Sequence, residues 1–258
     1  GGATRMVITA KVDANLRLRA EVSLNSEYGE VEYTVWLENG GRKPTGVISE
    51  LTALDMEFEG RNPVLRSCMG DHDNWYAAYE HDLSKGDKYF LSTGGRSTHI
   101  VFPYFDLVYG NGGTMLALGW AGTWEALFNY RGGATRVKAK TDISLNTVLL
   151  PGERIRTGQV VMLPYKGRDY DDATNLWREW YMKDVMPRAN AENEPLKPLS
   201  TTAFAEDTGL PNSDGSISER SFTWEPTLKK VVEERLVPDI RWFDAGWYFD
   251  PAGNTVEA

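Results

Sequence analysis

The chain has 258 residues, of which 41% are hydrophobic and 12% aromatic, so it carries enough apolar side chains for a large core. Its formal net charge of −9 at pH 7, without a run of lysine or arginine, argues against nucleic acid or an anionic membrane as a partner. The single cysteine, Cys68, excludes an intrachain disulfide. A neutral partner such as a sugar is easier to accommodate. No stretch of about 18 apolar residues predicts a membrane span.

Residues up to about 165 are predicted to form β-strands, because apolar side chains recur at every second position between turn residues. Segments 16–24 and 31–37 show this alternation most clearly, and each is predicted to have one buried face. The motif Asn39-Gly40-Gly41 then predicts a hairpin turn. The regular spacing of the runs favours a large sandwich of antiparallel sheets. Further strands are predicted at 47–58, 88–93, 98–108, 114–120, 125–130, 136–143 and 154–163.

A helix is predicted at 170–185, where apolar residues change to helical spacing. Asp169 precedes it, acidic residues fill its first turn and Pro187 closes it. Its aromatic seam is predicted to pack between domains and consists of Trp177, Trp180 and Tyr181.

The remainder of the chain is predicted to contain a linker, a helix and a strand. A polar segment with two prolines at 188–199 is the linker, and 207–219 is predicted to be a mobile loop. Pro226 lies in the first turn of the second helix. The strand at Ile240–Phe243 follows it. The helix is predicted to bury a stripe of Leu228, Val231, Val232 and Leu236.

Four motifs occur in order along the chain. They are Gly-Trp-Ala-Gly-Thr-Trp-Glu-Ala at 119–126, Leu-Pro-Gly-Glu-Arg-Ile-Arg-Thr at 150–157, Asn-Leu-Trp-Arg at 175–178 and Asp-Ala-Gly-Trp at 244–247. Together they resemble motifs of glycoside hydrolase family 36, the melibiase or α-galactosidase group, whose barrel strand carries Asp-Asp-Gly-Trp. The likeness covers most of the chain from about residue 96 to residue 248.

The resemblance implies a mainly β fold, in which a large antiparallel β-sandwich is followed by a connecting helix and the first elements of a (β/α)8 barrel. It places the sandwich and its helix at 1–187, and the linker with the start of the barrel at 188–258. The implied chemistry is retaining hydrolysis of a terminal α-linked sugar by two Asp side chains. Both belong to motifs downstream of the Asp-Asp-Gly-Trp in the family. This chain is therefore expected to contain no catalytic residue and to have no glycosidase activity alone.

Asp244 and Trp247 are the predicted substrate-binding residues. The Asp244 carboxylate would accept hydrogen bonds from sugar hydroxyls, and the Trp247 ring would form an apolar wall against a sugar face. The alternatives are that Asp244 only caps the following turn and that Trp247 only packs within it. Ala245 stands where the family has a second Asp, which leaves the sugar open. No cofactor and no metal site is predicted, since no second His or Cys has ligand spacing to His72.

A second interpretation is a non-catalytic carbohydrate-binding β-sandwich that holds a glycan without cleaving it. The helix and strand after residue 187 favour the hydrolase, because a binding module needs no barrel strand. In the hydrolase, the sandwich would be a scaffold and a candidate contact in a homo-oligomer. The strand at Ile240–Phe243 has no predicted neighbour, so it would pair with the sandwich, pair with a second chain or stay disordered. Trp120 and Trp124 are predicted to be buried sandwich residues.

Overall fold

The structure of the chain is a computed structural model, in which two compact units are distinguished, Gly1–Val185 and Met186–Ala258. The first unit is built almost entirely of antiparallel sheets, which confirms the predicted mainly β fold. The division into a sandwich at 1–187 and a barrel start at 188–258 stays a prediction. The residues that the structure describes are 3–72, 75–189, 194, 196–197, 199–204 and 224–243.

The first unit consists of strands followed by one helix. The helix α1 (Tyr170–Trp180) continues into a π-helical turn at Tyr181–Val185, and a short 3₁₀ turn occupies Leu83–Lys85. In chain order the strands are β1 (Ala3–Lys11), β2 (Leu16–Asn25), β3 (Glu30–Asn39), β4 (Thr52–Glu59), β5 (Val64–Cys68), β6 (Ala78–Asp82), β7 (Lys88–Ser92), β8 (Tyr104–Tyr109), β9 (Gly112–Gly119), β10 (Trp124–Arg131), β11 (Ala134–Thr141), β12 (Arg154–Arg156) and β13 (Gln159–Lys166).

Two sheets account for these strands within the described residues. The large sheet has nine strands in the order β1-β2-β3-β13-β9-β8-β5-β6, with β12 also pairing with β3. The small sheet has four strands in the order β4-β11-β10-β7. Every pair in both sheets is antiparallel. The strand β13 holds the large sheet together, because Val160 pairs with Tyr33 of β3 on one side and with Leu118 of β9 on the other.

The core lies between the small sheet and the central strands of the large sheet. Phe105 of β8 contacts Phe128 of β10, with ring centroids 5.0 Å apart, and meets Trp124 edge-on at 5.8 Å. These three side chains and Leu107 are almost fully buried, which confirms the predicted burial of Trp124. Trp120 is only half-buried, with the Arg156 guanidinium 5.7 Å from its ring centroid.

The strands β1, β2 and β3 form a part of the large sheet that we call the outer meander. All nine residues of β1 are exposed, whereas most residues of β2 and β3 are partly buried. The predicted buried faces of β2 and β3 are therefore only partly buried, and Val31 and Tyr33 of β3 pack against the core. The Tyr33 hydroxyl donates a hydrogen bond to the Ala53 carbonyl at 2.9 Å. This bond joins β3 to β4, an edge strand of the small sheet. The period-two pattern reports strand conformation correctly, but burial also needs a second layer.

The turn after β3 also differs from its prediction. Neither Gly40 nor Gly41 has a positive φ, and β3 does not form a hairpin with the next strand, β4, which belongs to the other sheet. The buried Asn39 organises this crossover, because its side-chain amide donates to the carbonyls of Lys43 and Leu149, both at 2.8 Å. The hairpin turn lies before β3 instead, where Gly29 adopts a φ of 68°.

The helix α1 begins where the sequence predicts it. The Asp169 carboxylate caps the helix by accepting from the Asp171 backbone N–H at 2.8 Å. Ala173 and Trp180 are buried and pack with Met115, Val161 and Leu163 of the large sheet. Of the aromatic seam, Trp180 and Trp177 therefore pack on the sandwich itself, whereas Tyr181 is 40% exposed. In the described part of the chain, no helix is both long and apolar enough to cross a membrane.

The second unit contains a strand–helix–strand segment: β14 (Thr201–Phe204), α2 (Trp224–Glu233) and β15 (Ile240–Phe243). The two strands pair in parallel, which gives β15 a neighbour that the sequence analysis missed. Two residues of the predicted buried stripe, Val232 and Leu236, are 61% and 70% exposed, so their predicted burial was wrong. A pair of strands offers a helix much less surface than a complete sheet does. The predicted loop at 207–219 lies outside the described residues.

Candidate functional site

The two predicted substrate-binding residues, Asp244 and Trp247, lie outside the described residues. The described chain ends directly before Asp244, at the last residue of β15. Because β14 and β15 are parallel, Phe204 and Phe243 pair at the same edge of the two strands. The segments that follow these two phenylalanines therefore start from one edge. In α/β proteins this carboxyl edge is where binding loops are built.

The opposite edge of β14 and β15 is fastened by a reciprocal contact. The Asp239 carboxylate accepts from the Ser200 backbone N–H at 2.9 Å and from the Ser200 hydroxyl at 2.8 Å. The Ser200 hydroxyl oxygen in turn accepts from the Asp239 backbone N–H at 3.0 Å. The two bonds from Ser200 lower the pKa of Asp239. This contact holds the first residues of both strands in register.

An exposed aromatic loop connects β5 and β6 in the first unit. Its described residues are 69–72 and 75–77, and Trp75 and Tyr76 are 80% and 52% exposed. Both residues have positive φ angles, 45° and 61°, which are unfavourable for side chains other than glycine. The Tyr76 ring meets Phe102 edge-on at 6.1 Å. Two large rings held in a strained loop and exposed to solvent indicate a contact surface.

A second loop, residues 93–103, clamps the aromatic loop from one side. Arg96 donates to both Asp71 carboxylate oxygens, at 2.8 and 2.9 Å. The Asp71 N–H donates to the Thr98 carbonyl at 2.9 Å. The rings of His72 and His99 stack, with centroids 4.3 Å apart. The clamp fixes the start of the aromatic loop through backbone bonds, an ion pair and a ring contact together.

The core supports this clamp through Trp124. Its indole N–H donates to the Ser97 carbonyl at 2.7 Å, while the ring itself is fully buried. Gly94 is required where His99 packs, because a Cβ on Gly94 would lie 1.8 Å from that ring. The clamp loop is therefore set against the sandwich core on one side and against the aromatic loop on the other.

Asp71 and Arg96 are the charged pair that these two loops bring together. Asp71 is engaged with Arg96, whose hydrogen bond lowers the pKa of Asp71 and keeps it ionised. Among the described residues no group of three or more His, Cys, Asp or Glu side chains could hold a metal ion. The two loops present polar, hydrogen-bonding groups beside two exposed aromatic rings. Such a surface matches the mixed polar and apolar faces of a sugar.

Sequence reasoning singled out His72 but passed over Trp75 and Tyr76. Periodicity could not find them, because both rings lie in a loop. The available signal was local: a polar turn segment, Gly70 to Asp73, followed within two residues by adjacent large aromatic side chains. Aromatic residues in a turn have no core to enter, so they stay exposed or fill a contact.

Glu30, at the start of β3, is a buried carboxylate beside the end of α1. It is 3% exposed, and burial raises its pKa to about 7, with the neighbouring Glu32 and Asp184 carboxylates acting in the same direction. A hydrogen bond from Trp180 opposes this shift. Asp184 also accepts from the Asn25 amide at 3.1 Å. This cluster joins the outer meander to the end of the connecting helix.

Asp106, on β8, is a second buried carboxylate with a different environment. Burial raises its pKa, while a hydrogen bond from the Tyr165 hydroxyl and the charge of Arg66 act against the rise. The Arg66 guanidinium lies 3.8 Å from the carboxylate and also pairs with Glu80 at 2.8 Å. Asp106 therefore has a donor and a cation beside it, where Glu30 has two like charges. Asp106 thus links β8 to β5 and β13, whereas burial and like charges disfavour the ionised form of Glu30.

Comparison with solved structures places this fold among α-galactosidases. An α-galactosidase from Lactobacillus brevis has a TM-score of 0.73 and 14% identity, over 96% of this chain and 33% of that chain. A variant of the family 36 α-galactosidase AgaA from Geobacillus stearothermophilus, in complex with 1-deoxygalactonojirimycin, has a TM-score of 0.71 and 16% identity, over 96% and 34% of the two chains. The galactosidase domain of the α-galactosidase–sucrose kinase AgaSK has a TM-score of 0.71 and 17% identity over the same shares.

These values define what is shared. This chain spans about a third of the length of the solved structures that it matches. Neither a family model nor a curated protein matches the sequence. Identities of 14 to 17% establish a common fold alone. The chain therefore has the fold of the N-terminal β-sandwich of family 36 glycoside hydrolases.

Proposed function

We propose that this chain is the N-terminal part of a retaining α-glycoside hydrolase of the α-galactosidase kind. The observation that carries the proposal is the extent of the fold likeness, which reaches 96% of the chain at a TM-score of 0.73. Three of the four sequence motifs fall at or between ordered elements of the sandwich and helix: 119–126 between β9 and β10, 150–157 before β13, and 175–178 in α1. Both kinds of evidence point to one family.

In this proposal the parallel pair β14 and β15 begins the catalytic barrel. Asp244 follows β15 directly in the sequence, and barrel enzymes place binding residues after the carboxyl ends of their strands. Its carboxylate would accept hydrogen bonds from substrate hydroxyls, with the Trp247 ring beside the sugar face. The two Asp side chains that perform the chemistry would come from later barrel strands. This chain alone is then a binding and scaffolding part.

The aromatic loop is proposed as a sugar-contact surface of the first unit in its own right. Its exposed Trp75 and Tyr76 rings offer apolar area, and the Asp71–Arg96 clamp beneath them fixes the loop. The solved AgaA variants are described in complex with stachyose and raffinose, which are oligosaccharides.

The test is raffinose binding by the complete 258-residue chain, measured by titration calorimetry together with turnover of p-nitrophenyl α-galactoside. We expect no turnover, and we expect both Trp75→Ala and Asp244→Asn to weaken binding roughly 5- to 10-fold, as loss of one stacking or charge-assisted contact does. Tyr170→Ala is the matched control, because Tyr170 is an exposed aromatic residue, 48% accessible, at the start of α1.

The outcomes separate the two functions considered for the chain. Loss of binding in Trp75→Ala without any effect of Asp244→Asn would favour a carbohydrate-binding module. Measurable turnover by the purified chain would contradict the assignment of catalysis to later barrel strands. Equal affinity in all three variants would show that neither Trp75 nor Asp244 contacts the sugar.

A further inference from the structure

The strand β1 differs from the other edge strands of the two sheets. An unpaired edge invites pairing with another strand, and proteins usually protect edges with charges or short length. The edge strand β4 carries Asp55, Glu57 and Glu59 at alternate positions, and the edge strands β6 and β7 have only five residues each, with Glu80 and Lys88 among them. β1 is nine residues long, and Met6, Val7 and Ile8 at its centre are 39%, 55% and 53% exposed. The centre of β1 carries no charged side chain.

The free edge of β1 consists of the backbone groups of its odd-numbered residues. The β1–β2 register is continuous, with Lys11 opposite Arg17 and Val7 opposite Glu21. The Val12 N–H donates to the Leu16 carbonyl at 2.9 Å, and antiparallel pairs alternate between bonded and non-bonded positions. The even-numbered residues of β1 therefore bond to β2. The odd-numbered residues point their N–H and C=O groups away from the sheet, where the described chain provides no partner strand.

This free edge is complementary to itself. If two copies of β1 pair antiparallel about a two-fold axis at Val7, residues whose numbers add to fourteen lie opposite each other. Val7 then faces Val7, Arg5 faces Thr9, and Ala3 faces Lys11. All outward-pointing backbone groups from Ala3 to Lys11 find partners. Directly opposed like charges, which destabilise antiparallel pairs, do not occur.

The neighbouring registers are less favourable. Moving the axis to Ile8 places Arg5 opposite Lys11 of the other copy, which sets two cations against each other. Moving the axis to Met6 leaves Lys11 without an opposite residue in β1. Of these three registers, the axis at Val7 alone uses the whole strand and separates the charges.

We propose that β1 pairs with β1 of a second copy of this chain about a two-fold axis at Val7, joining two large sheets into one continuous sheet. Met6 and Ile8 lie on the face of the meander that also carries Val22 and Tyr33, as the paired registers show. In the pairing, Met6 of each copy lies opposite Ile8 of the other. The apolar row of the outer meander thus continues across the contact, which explains why these side chains are exposed in a single chain.

The size of the contact sets its expected strength. One antiparallel strand pair buries less surface than the roughly 1,200 to 2,000 Å² of a standard interface. We therefore expect a dissociation constant on the order of micromolar, measurable by light scattering and by sedimentation with the complete chain.

Cross-linking tests the register directly. Residues opposed in a hydrogen-bonded antiparallel pair have Cα atoms about 5.5 Å apart, within the range of a disulfide. In a Cys68→Ser background, Val7→Cys is expected to form a covalent dimer under mild oxidation. Arg5→Cys alone is expected to stay unlinked, but to cross-link when mixed with Thr9→Cys. Free thiols in Val7→Cys at about 100 µM protein, well above a micromolar dissociation constant, or equal linking by Arg5→Cys alone, would overturn the proposal.

A proline substitution in β1 distinguishes a loss of dimerisation from a loss of folding. Val7→Pro removes an N–H that points away from β2, so it is expected to spare the β1–β2 ladder and to weaken dimerisation by at least roughly 30-fold. Val7→Thr keeps the N–H and the branched shape, so its dimerisation is expected to match that of the unaltered chain. Circular dichroism is the control that checks whether both variants fold. A dimer that survives Val7→Pro would assign the contact to another surface, and a chain that stays monomeric at about 100 µM would refute the pairing.

Discussion

The centre of the large sheet and its outer meander share one hydrogen-bonded ladder but differ in their surroundings. At the centre, β9 is buried along nearly its whole length, between the core on one face and α1 with its neighbours on the other. In the meander, β1 is exposed at every residue. Both regions are regular antiparallel strands with continuous registers. Strand formation and burial are therefore separate properties of this sheet.

This contrast indicates that most of the stability of the sandwich comes from its central strands. Backbone ladders contribute little net free energy by themselves, since water satisfies the same groups in the unfolded chain. Removal of apolar side chains from water contributes more free energy than the ladders do. The central strands obtain this contribution within one chain, from two layers that cover them. In the meander Val31 and Tyr33 pack against the core, but Met6, Val7 and Ile8 of β1 stay exposed and remain available for a contact with another surface.

The largest expected effect comes from a matched pair of truncations. Leu107→Ala removes a fully buried side chain from β8, and we expect it to lower the free energy of unfolding by about 2–5 kcal/mol. Ile8→Ala removes an aliphatic side chain that is 53% exposed, and we expect a change below about 0.5 kcal/mol when the chain is monomeric. Urea denaturation at low protein concentration measures both. Equal losses would break the distinction between centre and meander.

An intermediate effect is expected at Glu30, where the meander meets α1. Its folded-state pKa is raised from 4.5 to about 7, so the folded chain favours the protonated acid. The stability that this group provides is complete below pH 4.5 and is lost as the pH rises through 7. Glu30→Gln imitates the protonated form, so we expect it to stabilise the chain by about 1–3 kcal/mol at pH 8.

The pH dependence provides the control for this prediction. Near pH 4 the Glu30→Gln variant and the unaltered chain are expected to have the same stability, because both carry an uncharged side chain there. Glu32→Gln, a variant of a half-buried neighbour, is expected to produce a smaller gain at pH 8 by removing one of the like charges. A loss of stability at pH 8 in Glu30→Gln would show that the ionised carboxylate is needed.

The smallest effect on stability is expected at the clamp. Arg96 is half-exposed, and its ion pair with Asp71 is open to solvent, so Arg96→Ala is expected to cost less than about 1 kcal/mol. Hydrogen exchange of the amides in loops 69–72 and 93–103 should nevertheless speed up, because the bidentate contact holds these loops together. Arg136→Ala, which removes a similar exposed pair with Asp55, should leave those amides unchanged. If amide exchange is no faster in Arg96→Ala, the backbone bonds and the histidine stack alone hold the two loops together.

Local sequence pattern predicted the central strands because burial and periodicity coincide there. β7, β9, β10 and β11 lie within two residues of the predicted runs, and β15 matches its prediction. The pattern missed β1, where Met6, Val7 and Ile8 form a continuous apolar run without alternation, and it missed the short strands β5, β6 and β14. The segment 154–163 was predicted as one strand, but Thr157 and Gly158 separate β12 from β13.

Partner choice was beyond a local pattern. The pairing of β3 with β13 and the crossover at Asn39 depend on contacts between segments far apart in the chain, such as the Asn39 bond to Leu149. The exposure of Trp75 depends on the positive φ angles of its loop, which no residue type at that position suggests. For Asp244 and Trp247, the sequence resemblance is still the basis of their assignment, since both lie outside the described residues.

The pairing of β3 with β13 affects how the chain folds during its synthesis on the ribosome. Glu32 and Gln159, bonded across these strands at 2.9 Å, are separated by 127 positions in the chain. At a translation rate of roughly 5 to 20 residues per second, the first three strands wait about 6 to 25 seconds before their permanent neighbour is synthesised. During that interval the nascent meander has two unpaired strand edges. Chaperones or the charged side chains of the meander itself would have to prevent premature association.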